Sequence, residues 1–552
     1  MPSTGIARPV RVGYGLGSFC TGTFSTVPGL LLLYYLTNVL GVRAVIAGTA
    51  VFVPKAWDLI INPVVGRASD RTRSRYGPRR PWLLAGAVTL PLCFALVFSG
   101  PPLAGAAAGL FVGVAFLLAS TAFALFEVPY KAMPAEMTTD YHEQSTLLTW
   151  RMIFLGMAIL VSGAMAPAIA HAVGGVAGYR VMGIAIAGVL ALAMLATFAG
   201  TARAPMVAHQ QAEPSLRAQF AVIRSNVTFR WLLVFSCAQM LAIGLMLAAA
   251  PYFATYTLGD PSAVTPLFVF LVGPIIVTMP VWTRVSRRLD KRGAMIAATL
   301  VFLVGCVGLV ATPAFGSAWA YACALVIGVG YAGLQLLQYS MLADTIVADA
   351  VVSGTRRAGV LTGIWTAAET VVFALGALVL AGVLGAAGFV SSDLDHPVAQ
   401  PDTALKMIQW GAPLIAAAFI AASILGISRY GLTVAAPAGA RPPQVRSAGV
   451  RESDLPRTFP GLIDARRPRR AMTPSGAERR ADAGGWRRWK PRARPGRRRR
   501  ACCRGRSSGG SSPEGPGGAR GARASRSGSP RAIRPRPSSA PARGRPDRDP
   551  RG

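Results

Sequence analysis

Three stretches of this chain run far past the length of an ordinary helix without one charged residue: 12–42, 83–126 and 294–343. The outer face of a soluble helix carries charge, whereas a bilayer accepts almost none. A membrane-spanning helix needs about 20 consecutive apolar residues. The first run supplies one span. The other two are too long for one span each, and both are punctuated, at Ser99-Gly-Pro-Pro102 and at Thr312-Pro-Ala-Phe-Gly316, so each supplies two. Further apolar stretches at 44–65, 152–172, 181–201, 231–258, 263–281, 358–385 and 407–428 bring the expected total to twelve. The sequence therefore predicts an all-α membrane protein, with six helices on either side of a polar segment at 202–230. Within that segment, residues 216–227 read as a short helix lying along the membrane surface.

Basic residues in the connections set the orientation. The connection after the second span holds six arginines between Arg67 and Arg80. Lys131 and Arg151 flank the next connection on the same side. The residues 284–293 and the pair Arg356 and Arg357 continue the series, while the opposite connections hold only Arg43, Arg180 and Lys406. Both termini are expected in the cytoplasm. A basic, aspartate-containing turn follows the second helix of each half, at 66–80 and at 284–293. This internal echo fits two pseudo-symmetric six-helix halves, 1–201 and 231–433, with a binding site near the midplane between them.

Composition matters chiefly because it must be divided. From Arg441 onward, 31 basic and 8 acidic residues supply +23 of the formal net charge of +34. That tail, 434–552, is rich in Arg, Pro, Gly, Ala and Ser and is expected to be disordered. It reads either as an anionic-lipid or nucleic-acid tether, or as a GC-rich reading frame continued past a natural stop. The prevalence of arginine over lysine favours the second, so no nucleic-acid partner is expected. The seven cysteines form no C-x-x-C pair, and the four histidines are scattered, so neither a disulfide framework nor a metal centre is expected. No nucleophile–base set appears, which argues against an enzyme, and no cofactor is implied. The N-terminal apolar run exceeds a signal-peptide core.

Ionisable residues inside the spans are the candidate functional groups, because such residues are costly in a bilayer. Lys55, Asp58 and Asn62 stand at i, i+3 and i+7 and share one helical face. Asp58 reads as a protonation or cation site, or as half of a buried ion pair with Lys55. Glu127 near the end of the fourth span, Arg151 at the opening of the fifth and Glu369 in the eleventh complete the set.

The stretch Trp57–Trp82, W-D-L-I-I-N-P-V-V-G-R-A-S-D-R-T-R-S-R-Y-G-P-R-R-P-W, resembles the second-helix signature of the glycoside–pentoside–hexuronide:cation symporters of the major facilitator superfamily, whose best-known members are the melibiose carriers. Y-G-L-G-S-F at 14–19, V-P-Y-K-A-M at 128–133, T-D-Y-H-E-Q at 139–144 and M-L-A-D at 341–344 agree with it. The resemblance runs from about residue 12 to residue 433. It implies the major facilitator fold and cation-coupled transport of a small solute by alternating access, in an inner membrane. It places the cation site at Asp58 and Asn62, where melibiose-type carriers have two aspartates. Ile61 and Ala124 stand at the family's amide and hydroxyl positions, and Gly22 at its first galactoside-binding aspartate. Glu127 and Arg151 match retained sugar-site residues. Lys131 and Gln335 fall at the stacking tryptophans, and Thr370, beside Glu369, at the helix 11 lysine. Asp70, Arg71, Arg73, Arg75 and Asp344 would latch the cytoplasmic side. The expectation is a monomeric transporter of a small polar solute, in contact with membrane lipid. A galactoside is not implied, and a proton is preferred to sodium because the site offers one carboxylate and one amide oxygen. An amphipathic solute, export, and a membrane tether acting through the basic tail stand as alternatives.

Overall fold

The computed structural model describes residues 6–431, apart from 75, 139, 203, 205–223, 225, 354–356 and 393–397. The tail at 434–552 and all but Arg224, Asn226 and Val227 of the expected surface helix at 216–227 lie outside the described residues.

Those residues are helical and contain no strand. In chain order they form α1 (Arg8–Asn38), α2 (Ala44–Arg71), α3 (Arg80–Val97), α4 (Gly105–Met137), α5 (Tyr141–Val173), α6 (Gly175–Gly200) and α7 (Val227–Tyr252, prolonged by a wider turn, Phe253–Thr257). A helical segment, Val264–Leu309, follows. Its 46 residues are more than twice the about 20 that one span needs. Asp290, at φ 63°, is non-helical and divides it into α8 (264–289) and α9 (291–309). After a short turn at Thr312–Phe315 come α10 (Ser317–Ser353), α11 (Ala358–Ala386) and α12 (Asp402–Arg429).

Twelve spans thus emerge where twelve are expected, but their limits differ. α2 continues through Arg67 and Asp70 to Arg71, α4 through Lys131 to Met137, and α10 through Asp344 to Ser353. α5 begins ten residues before Arg151, which is therefore inside the helix and does not open it. Residues 284–293 are helical except at Asp290. Charge marks where a helix leaves the bilayer, not where the helix ends. Side-chain caps mark the start of two helices: the Asp140 side chain accepts bonds from the backbone N–H of His142 and Glu143 to start α5, and Asn226 does the same for Phe229 in α7.

Helix contacts repeat with an offset of six. α1 packs on α5 and α6, as α7 packs on α11 and α12; α2 and α3 line α4, as α8 and α9 together line α10. The halves meet through α1 with α7, α2 with α11, and α5 with α8, a set that maps onto itself under the same offset. Outward faces are apolar: Leu92, Leu110, Leu192, Val277 and Leu425 are largely exposed, as lipid contact requires.

The two halves touch at one end. There the hydroxyls of Thr37 and Tyr252 are 2.6 Å apart, Asn38 Nδ2 donates to Tyr256 Oη at 2.7 Å, and Tyr34 Oη lies 2.9 Å from Thr255 Oγ1. Phe389 packs edge-on against Tyr252 and Tyr256, and Thr265 Oγ1 of α8 donates to Ala164 O of α5 at 3.4 Å. At the basic end, among the described residues, no side-chain hydrogen bond or ion pair joins the halves. Toward that end the Lys131 and Tyr339 side chains, one from each half, are both 42 % exposed.

Candidate functional site

The wall formed by α1, α2, α4 and α5 carries five ionisable side chains. Glu127 of α4 is buried; its Oε2 accepts from Thr21 Oγ1 at 2.6 Å, its Oε1 lies 3.0 Å from Lys131 Nζ one turn on, and Arg151 Nη2 stands 3.7 Å away. The Arg151 guanidinium sits 5.7 Å from the centre of the Tyr130 ring. Tyr130 stacks on Tyr14 with centroids 4.7 Å apart and donates its one hydroxyl proton to Tyr14 O at 2.9 Å, so Ser18 is the donor in the 2.9 Å Ser18–Tyr130 bond. A carboxylate with one hydrogen bond and two cations within 4 Å, beside the Tyr130–Tyr14 stack, forms a polar face.

Asp58 and Lys55 occupy the same turn of α2, with Oδ2 and Nζ 3.8 Å apart and side chains only 7 % and 13 % exposed. Asp58 Oδ1 is buried with no hydrogen-bond partner among the described residues. The Lys55 ammonium lies 4.3 Å from the centre of the Phe24 ring and 5.5 Å from those of Phe116 and Phe123. Trp57 Nε1 donates to Thr121 Oγ1 at 3.1 Å and ties α2 to α4. Asn62 is one turn further toward the open end; it is exposed and makes no side-chain hydrogen bond among the described residues.

The facing wall comes from α10 and α11. Tyr339 Oη reaches both carboxylate oxygens of Glu369 at 3.0 Å, and its ring leans on Trp365 with centroids 6.1 Å apart. Gln335 donates to Tyr331 Oη at 2.7 Å. The Thr370 hydroxyl is spent within its own helix, on Thr366 O. Lys131 stands within electrostatic reach of both Asp58 and Glu369, and Arg151 of Tyr339. The space between the walls is therefore bordered by three carboxylates and three cations.

Of the expected latch residues, Asp70 and Asp344 bond within their own halves. Arg79 meets Asp70 at 2.5 Å and Glu136 at 2.6 Å and donates to Ser69 Oγ at 2.6 Å. Asp344 meets Lys291 at 2.5 Å. Arg71 and Arg73 are exposed, with no ion pair among the described residues, and Arg75 lies outside them. Thr21, Tyr130 and Tyr339 were not singled out by sequence. Tyr339 had a signal, since it falls one turn after Gln335 on the same face.

The profile of the family described as MFS/sugar transport protein matches residues 13–434. The inner membrane symporter YicJ of Escherichia coli (strain K12) is 26 % identical over 394 residues, covering 68 % of this chain and 81 % of that protein. The putative glycoside/cation symporter YagG of the same organism is 26 % identical over 437 residues, 77 % of this chain and 92 % of its own. The isoprimeverose transporter of Lactiplantibacillus pentosus is 24 % identical over 430 residues, 75 % and 87 % respectively. Among solved structures, a bacterial homologue of the human lysosomal transporter Spinster, inward-facing and unoccupied, superposes with a TM-score of 0.59 at 12 % identity over 78 % of this chain and all of its own. A D-xylose–proton symporter superposes with a TM-score of 0.54 at 13 % identity, covering 76 % and 96 %. These two share the fold.

Proposed function

The chain belongs to the MFS/sugar transport protein family, and from that premise we propose that it is a secondary transporter carrying a small polar solute, a sugar or glycoside, across an inner membrane by alternating access, with a proton as the coupling ion. The observation that carries this reading is the pair of polar walls between the halves: Glu127, Lys131 and Arg151 with Thr21 on one side, Glu369 and Tyr339 on the other. Their charges, with those of Lys55 and Asp58, sum to zero, which suits a neutral polyol bound by charge-assisted hydrogen bonds. Glu127 and Arg151 hold the solute, and Lys131, Gln335, Glu369 and Thr370 border it.

Asp58 is the coupling group. A hard metal cation wants several oxygen ligands; Ile61 and Ala124 offer none, Asn62 is exposed, and the nearest partner of Asp58 is the Lys55 ammonium. A proton needs a single carboxylate. The arginine-rich end, open in this conformation, faces the cytoplasm with both termini, and the halves 1–201 and 231–433 rock about the solute. Asp70, Arg71, Arg73, Arg75 and Asp344 re-pair across the halves when that end shuts. The protein is no enzyme; it works as a monomer in lipid and needs no cofactor.

The test is uptake of radiolabelled sugars and glycosides into proteoliposomes with either a proton or a sodium gradient imposed. Accumulation is expected with the proton gradient. Accumulation driven by sodium alone would overturn the coupling assignment, and uptake of no sugar or glycoside would overturn the solute class. Asp58→Asn is expected to abolish accumulation while sparing exchange of solute down its own gradient.

A further inference from the structure

Lys55 sits in a site of its own. Its ammonium faces Phe24 of α1 at 4.3 Å and Phe116 and Phe123 of α4 at 5.5 Å. Phe24 is the hub of this cluster, in ring contact with Phe94, Phe116 and Phe123 at centroid distances of 6.3, 5.9 and 4.4 Å. Phe24 and Phe116 are inaccessible to solvent. Asp58 closes the box from α2, with Oδ2 3.8 Å from the ammonium and Oδ1 without a hydrogen-bond partner among the described residues. Glu127 and Lys131 also lie within electrostatic reach of the ammonium.

Aromatic rings around one carboxylate make a distinctive recognition surface. The ring faces attract a cation through their quadrupole, most strongly when it is desolvated. They supply no oxygen lone pairs, so a small hard ion such as sodium would lose its hydration shell without replacing it. A primary ammonium fits, since one face can pair with the carboxylate while its carbon stem packs against the rings.

We propose that Lys55 is a tethered cation, permanently filling an ammonium-specific box beside Asp58, and that this occupancy excludes alkali ions from the coupling site. The inference deepens the proton-coupling assignment and rests on Asp58 being the coupling group. With the lysine stem cut back, the box becomes a binding site for free alkylammonium ions.

The test reads cation binding to purified protein, so that it stands apart from whether any solute is transported. Thermal unfolding of the wild type and of Lys55→Ala is followed in detergent while propylammonium, sodium or propanol is titrated at constant ionic strength. Propylammonium is expected to raise the melting temperature of Lys55→Ala by several degrees and to leave the wild type unchanged, with propanol without effect on either and sodium without effect on the wild type. Stabilisation of the wild type by sodium would overturn the proposal, because an alkali ion would then bind despite Lys55. Equal stabilisation of Lys55→Ala by propanol would overturn it too, since the box would then need volume and not charge. Should Lys55→Ala fail to fold, Lys55→Met keeps the stem without the charge. The double variant Lys55→Met/Asp58→Asn is then expected to melt higher than Lys55→Met, because it removes the carboxylate left unpaired. A double variant no more stable than the single one would overturn the proposal.

Discussion

Glu127 is the residue on which the polar wall turns. Thr21, Lys131 and Arg151 all converge on its carboxylate, so a solute hydroxyl bound at the proposed site would share a group that already has partners. Exchanging Glu127 for Gln keeps the shape and removes the charge. Hydrogen bonds to a charged group are worth about 1.5–3 kcal/mol, or roughly ten- to a hundredfold in affinity. Glu127→Gln and Arg151→Gln are each expected to weaken solute binding by that factor while expression stays normal. Calorimetric titration of a transported solute checks this, and unchanged affinity in both variants would remove the pair from the site. Thr370→Val, in contrast, is expected to leave affinity within about threefold, because its hydroxyl is bonded to Thr366 O in its own helix. Only part of this wall was legible in the sequence. Charged residues inside apolar runs stand out singly, as Asp58, Glu127 and Glu369 do. Their partners do not: Thr21 is 106 positions from Glu127 and Tyr339 is 30 from Glu369, and only packing of the helices decides which faces meet.

At the scale of elements, long apolar runs located the twelve spans, because the bilayer penalises charge directly. They did not locate the ends of α2, α4 and α10, since helices continue into water wherever caps and tertiary contacts allow. Nor could they show which helices approach most closely, which depends on single glycines. A Cβ on Gly376 of α11 would stand 2.3 Å from the backbone nitrogen of Leu245 in α7, and one on Gly244 would stand 2.1 Å from Phe373 O. The two helices cross backbone to backbone, as small residues permit inside membranes. Gly376→Ala must push them apart and is expected to cost about 1–3 kcal/mol, read as a clear fall in melting temperature in detergent. Gly363→Ala, on the same helix with nothing within 4 Å of its Cβ, is expected to be neutral or stabilising by up to about 1 kcal/mol. A similar contrast is expected at the α8–α9 break. Asp290 holds φ 63° and ψ 160°, a region open in practice to glycine alone. Asp290→Gly is expected to stabilise the protein and Asp290→Ala to destabilise it, in the same melting assay. Equal effects from the two would mean that the break is set by the surrounding contacts and not by the conformation of this residue.

At the scale of the whole molecule, the proposed alternating access requires an equilibrium between two closures of the same two halves. In this conformation one end is held by Thr37 with Tyr252, Asn38 with Tyr256 and Tyr34 with Thr255, all reaching between α1 and the α7 end. At the other end, Asp70 and Asp344 bond within their halves. The cross-half bonds exist only while this end is shut, so weakening them raises the energy of one state and leaves the other untouched, which is the condition for shifting a population. Each neutral hydrogen bond contributes about 0.5–1.5 kcal/mol net. Asn38→Ala and Tyr252→Phe together remove two of them, and the sum of about 1–3 kcal/mol multiplies the ratio of the alternative state by roughly five- to a hundredfold. The expected outcome is a longer distance between spin labels at Arg43 and Asp402, which start α2 and α12 at the shut end on opposite halves. Pulsed dipolar spectroscopy of the labelled wild type should give mainly the short distance, and of the double variant a mixture. The single change Tyr34→Phe, which breaks one bond, should fall between them. A distance distribution identical in all three proteins would show that the hydroxyls merely fill the interface, and that aromatic packing of Phe389 on Tyr252 and Tyr256 holds the end shut without them.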